Sequence, residues 1–124
     1  MRAVLLAAVL ALPASAQERT AAEHRNLLEL AAVLGEAHAL RTLCDGRKVQ
    51  SWRNRMARVA ELEGADGAFR ERLTEGFNTG YLRAQAAHGA CDATAQAEIR
   101  AVARRGRDLA AVMSGGRFET ASAR

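Results

Sequence analysis

Chemistry in this chain would have to come from three histidines, two cysteines and a few carboxylate pairs. His24 and His38 lie fourteen residues apart in a helical-looking stretch, roughly 21 Å along one axis, too far to share a metal. His88 and Cys91 have the H-x-x-C spacing of metal ligands, and Cys44 could join them. A metal needs thiolates, however, and an oxidised cysteine pair supplies none. Ser15, Ser51, Ser114 and Ser122 stand in no G-x-S-x-G context, and "SGGR" at 114–117 follows a helix and opens none. A nucleophile elbow and a phosphate loop are therefore both missing. Glu61 and Glu63 would point in different directions on a helix, and Glu71 and Glu75 should face solvent. The expectation is a protein with no catalytic residue, no metal and no cofactor, and so not an enzyme.

The formal net charge is +4, and seventeen of the eighteen basic residues are arginine. Acidic residues are interleaved with them, as in Arg25/Glu29 and Arg104/Asp108 at i, i+4. The clusters Arg53/Arg55/Arg58 and Arg104/Arg105/Arg107 could form a basic face. The whole chain has only five aromatic residues to stack bases, and the export signal described below argues against nucleic acid as well. An acidic protein, a cell-wall polymer or an anionic surface suits such a face better. Arg41 is singled out because a helical wheel puts it near the middle of an apolar stripe with Leu27, Leu34, His38 and Cys44. Either it bonds helix-end carbonyls and Asp45 or Asp92, or it offers a fork to an acidic partner. A lone histidine at position 38 of the same stripe reads as a hydrogen-bonded core residue rather than a ligand.

The elements that must position these residues begin after an export signal. A basic start at Arg2, the apolar run "AVLLAAVLAL" at 3–12, Pro13 and "ASA" at 14–16 make a secretory signal peptide. The run is about half the ~20 residues of a membrane span. Cleavage after Ala16 would release a mature chain of 108 residues starting at Gln17, enough for one domain. No later segment is apolar enough to span a bilayer, so the expected location is the periplasm. In that compartment Cys44 and Cys91 read as a disulfide. Closing its loop contributes about 4 kcal/mol in the chain-entropy model.

Periodicity predicts four helices and no strand. The first opens at Thr20, with Glu23 completing a capping box, and stops at "DG", 45–46. The second carries Val49, Trp52, Met56 and Val59 and is broken by "GADG" at 64–67. Asp66 caps the third, which runs to about His88 with Phe69, Leu73, Phe77 and Ala84 inward. Asp92 caps the fourth, with Ala95, Ile99, Val102, Gly106, Leu109 and Met113 on one stripe. Residues 17–113 then form an all-α, up-down-up-down four-helix bundle, and 114–124 a flexible tail. In that topology Cys44 and Cys91 fall at the same end.

Within the third helix, "GFNTGY" at 76–81 places two glycines four residues apart, each weakening a helix by about 1 kcal/mol relative to alanine. On the wheel Gly76 and Gly80 sit on the inward stripe beside Phe77. They read as close helix packing, admitting another backbone or a bulky side chain such as Trp52. Asn78 points away from the core, and Tyr81 lies at its edge. With Arg41 they are the residues expected at a partner surface.

The segments "LRTLC" at 40–44, "SWRNRM" at 51–56, "GFNTGY" at 76–81 and Cys91 resemble an uncharacterised family of small exported alphaproteobacterial proteins, catalogued as a domain of unknown function. The resemblance covers about residues 27–112. It departs at Ala84 and His88, where the family tends to carry aromatic residues. It implies an exported helical domain and supplies no activity. The functional expectation is a non-catalytic module binding an envelope protein or cell-wall component. The alternative is a small-ligand carrier using the bundle interior or its disulfide end, although a core rich in alanine leaves little room for a ligand.

Overall fold

The computed structural model describes residues 20–62, 64 and 66–115. The signal segment 1–16 with its cut after Ala16, and residues 116–124 of the tail, lie outside the described residues. Four helices follow in order: α1 (Ala21–Asp45), α2 (Ser51–Leu62), α3 (Gly67–Ala87) and α4 (Ala93–Met113). They form an up-down-up-down bundle with no strand among the described residues.

Local chemistry sets the boundaries. The Thr20 hydroxyl accepts from the Glu23 amide at 3.2 Å, and the Glu23 carboxylate accepts from the Thr20 amide at 2.7 Å. This reciprocal box satisfies two amides that would otherwise lack partners at the first turn. Asp66 and Asp92 cap α3 and α4 by accepting from Phe69 at 2.8 Å and Ala95 at 2.9 Å. Gly46 ends α1 with φ of 97° and donates its amide to the Thr42 carbonyl at 3.0 Å, a backbone turn that suits glycine. Val49 belongs to the following loop rather than to α2, because its amide is tied back to the Gly46 carbonyl at 3.2 Å.

The bundle is organised around α1. The other three helices all pack on it, and among themselves only α2 and α3 have neighbouring backbones, over a short stretch. A helix contacted on three sides must be apolar all round. Accordingly, residues 31–40 are buried except for half-buried Ala32. One core lies between α1, α2 and α3, built on Leu27, Leu34, Met56, Leu73 and Phe77. A second lies between α1, α3 and α4, built on Val33, Leu40, Ala84, Ala95 and Val102. Half-buried Trp52 packs against both.

Two glycines let α1 and α3 touch backbone to backbone. A Cβ on Gly80 would overlap the Ala32 carbonyl oxygen, and one on Gly35 would overlap the Phe77 carbonyl oxygen. The expected close packing at Gly80 is thus against the α1 backbone, and Trp52 is not its neighbour: the atoms nearest a Cβ at Gly80 all belong to Ala32. A Cβ on Gly76 would lie 3.3 Å from the Leu28 carbonyl oxygen and 3.5 Å from the Ala31 methyl, again on α1. Trp52 instead lines, with Val102 and Gly106, a hollow between α2 and α4.

Candidate functional site

Cys44 and Cys91 form a disulfide with Cα atoms 5.1 Å apart. It fastens the end of α1 to the loop before α4 and leaves no thiolate for a metal. Among the described residues no group of three or more histidine, cysteine or acidic side chains is placed to hold a metal ion. His24 lies against Phe69, ring centres 4.6 Å apart, far from this end.

Arg41 lies differently from its place on the wheel. Its side chain is 43% exposed and its Nη1 donates to Asp45 at 3.3 Å. The long side chain carries the charge out to the half-exposed Asp45 carboxylate one turn on, as one of the two sequence readings expects. The remaining expected surface residues are not brought together. Asn78 is exposed and lines a groove of about 660 Å³ between α2 and α3. Tyr81 is half-buried and packs on His38, ring centres 5.5 Å apart. Arg41 lines neither hollow.

The α2–α3 groove exists because these helices diverge over α1. Met56, Leu73 and Phe77 are buried beneath it, and Arg53, Arg70 and Asn78 are exposed along it. Among its described lining residues Glu61 is the one carboxylate, against two guanidinium groups. Farther along the same face of α3, at the disulfide end, a second hollow of about 440 Å³ is lined by His38, Thr42, Arg47, Gln50, Gln85 and His88, among others. His38 is buried here as expected, but its Nδ1 has no hydrogen-bond partner. Burial, and then the charge of Arg53, hold its pKa below the usual histidine range. It is therefore neutral at pH 7.

One charged site escaped the sequence reading. Glu36 lies in the buried run of α1, with 9% of its side chain exposed. Arg105 of α4 donates to its Oε2 at 2.8 Å and to Glu98 at 3.0 Å, while Arg83 of α3 donates to its Oε1 at 3.4 Å. The carboxylate thus ties α1 to both α3 and α4. The available signal was a lone acid inside the apolar stretch 30–40, which requires a partner when such a segment is buried.

Among the described residues, no helix is long and apolar enough to cross a membrane. Residues 23–116 match the model of a family described as a protein of unknown function, DUF2385. The chain belongs to that family. The match takes in all four helices apart from the first two residues of α1, so the family domain is the whole bundle. No curated protein and no solved structure matches it.

Proposed function

We propose that this DUF2385 domain is a non-catalytic binding module of the periplasm, exported by its N-terminal segment. It docks an envelope protein on the groove between α2 and α3. The observation that carries the reading is the groove itself: buried Met56, Leu73 and Phe77 beneath, with Arg53 and Arg70 above making no ion pair among the described residues. An apolar base with a basic rim favours a partner segment that presents apolar side chains flanked by carboxylates. The disulfide supports an oxidising compartment.

The test is photo-crosslinking in cells, with a crosslinking amino acid at Asn78 and, as control, at exposed Arg100 on α4. A discrete protein adduct is expected from position 78 alone, and it should vanish when Arg53 and Arg70 are both changed to Glu. Mass spectrometry of the captured chain should show Gln17 as its first residue. Equal adducts from both positions, or none from position 78, would overturn the docking reading. A retained Met1 would overturn export by cleavage.

A further inference from the structure

Two buried polar atoms on α1 lack hydrogen-bond partners, His38 Nδ1 and Thr42 Oγ1. Their residues are four apart and share one helix face. Both line the hollow at the disulfide end, which has no lining residue in common with the α2–α3 groove. Buried polar groups in folded proteins almost always have a partner. Two orphans on one turn of one hollow therefore mark a place where polar contacts remain to be made. His38, only 9% exposed, is held in place by aromatic neighbours, Phe77 at 5.8 Å and Tyr81 at 5.5 Å between ring centres.

The walls say what could make those contacts. Among the described residues Arg47 makes no ion pair, and no carboxylate lines the hollow. Its fixed charge is therefore positive and uncompensated. Gln50 donates to the Arg47 carbonyl at 3.1 Å, bracing the loop that carries this arginine. Gln85 adds an amide with both donor and acceptor atoms. Both α1 and α3 reach their C-termini beside the hollow. The partial negative charge of helix C-termini disfavours a dianion such as phosphate and favours donor groups next to a single negative charge. A volume of about 440 Å³ lies in the range of small-molecule sites.

We infer that this hollow binds a small organic carboxylate that also carries amino or hydroxyl groups. The carboxylate sits on the Arg47 guanidinium, and the ligand's polar groups meet the His38 ring and the Thr42 hydroxyl, whose orphan atoms are covered in the free protein and turn into the hollow on binding. This site is independent of protein docking on the α2–α3 groove, and either can fail without the other.

The test is an NMR titration of the mature, disulfide-bonded protein with glutamine, lactate, inorganic phosphate and glucose. Glutamine and lactate should shift the His38 ring and the Thr42 and Gln85 signals saturably, with Kd of about 1 mM or tighter. Phosphate and glucose should bind at least about tenfold more weakly. Arg47→Gln, on an exposed loop, should weaken both carboxylates by about fivefold or more with an unchanged melting temperature. Phosphate or glucose binding as tightly as the carboxylates would overturn the assignment. So would carboxylate binding indifferent to Arg47→Gln, or no saturable shift, which would mean that water alone satisfies His38 and Thr42.

Discussion

Replacing Gly80 by alanine should destabilise this protein, although alanine is the better helix former. A Cβ at position 80 would lie on the Ala32 carbonyl, 2.8 Å from its carbon and 3.0 Å from the Ala32 Cα, whereas ordinary Cβ contacts begin near 3.4 Å. The obstacle is backbone, so no rotamer change relieves it, and α1 and α3 must part by about 1 Å. A gap of that size removes roughly a quarter to a half of the dispersion energy of each contact it opens. Leu34, Leu73 and Phe77 are buried along this seam. At about 2 kcal/mol of burial apiece, the loss is about 1.5–3 kcal/mol. The gain in helix propensity returns about 1 kcal/mol. The separation also breaks the matching contact of Gly35 with the Phe77 backbone, which brings the net loss to about 1–3 kcal/mol.

Three comparisons isolate the mechanism. Gly35→Ala should behave like Gly80→Ala. The double variant should fall short of the sum, because one separation of the helices relieves both overlaps. Gly106→Ala, whose Cβ would meet only the Val33 Cγ1 at an ordinary 3.5 Å, should be neutral or stabilising by up to about 1 kcal/mol. The measurement is urea unfolding followed by far-ultraviolet circular dichroism with the disulfide intact. A midpoint for Gly80→Ala at or above that of the unmodified protein would refute the backbone-contact argument.

Glu36 should reveal which partner of its ion pairs is the desolvated one. Arg105→Ala leaves a buried carboxylate with only the 3.4 Å contact from Arg83 and should destabilise by about 1–3 kcal/mol. Glu36→Gln releases two arginines whose side chains are already 65% and 47% exposed, and should have the smaller effect in the same urea assay; the reverse order would count against this account. His38 predicts a pH dependence. Its folded pKa lies below the unfolded value of 6.5, through burial first and Arg53 second, so the unfolded chain binds more protons between the two values. The stability it contributes is fully present above about pH 6.5 and is lost as pH falls from there through the folded pKa. His38→Gln should flatten that part of the stability profile, and parallel profiles for the two proteins would exclude His38 as the cause.

The features legible in the sequence were those set by neighbouring residues. Thr20 with Glu23, Asp66 and Asp92 each satisfy amides within three positions, so the helix starts could be read directly. The glycines at 76 and 80 announced close approach because a glycine pair on an inward face has no other packing use. A wheel gives direction but not the identity of what lies opposite, so the α1 backbone and its reciprocal Gly35 stayed hidden. Arg41 shows the same limit at a helix end: the angle was inward, but the chain beyond Asp45 leaves room for the guanidinium to reach solvent. Glu36 needed tertiary information, because its partners are 47 and 69 residues away.

The central place of α1 explains why its own pattern was the hardest to read. Amphipathic periodicity appears when a helix buries one face, as α4 does with Ala95 and Val102. A helix enclosed by three others loses that contrast, and its stripe broadens into the continuous buried run 33–40. The outer helices, by contrast, need satisfy only their contact with α1 and meet one another little or not at all. Seams between them are therefore left open by the architecture rather than by poor packing. The α2–α3 groove is one such seam, and the hollow at the disulfide end opens between α1, α3 and the α1–α2 loop; in each, exposed side chains rim a base of core residues. Arg53, Asn78, Arg47 and Gln85 are all exposed. They could change without disturbing Leu27, Leu40, Leu73 or Val102, the largest fully buried side chains. An architecture with exposed side chains on the rims of its hollows leaves those rims free to vary while the core beneath them is kept.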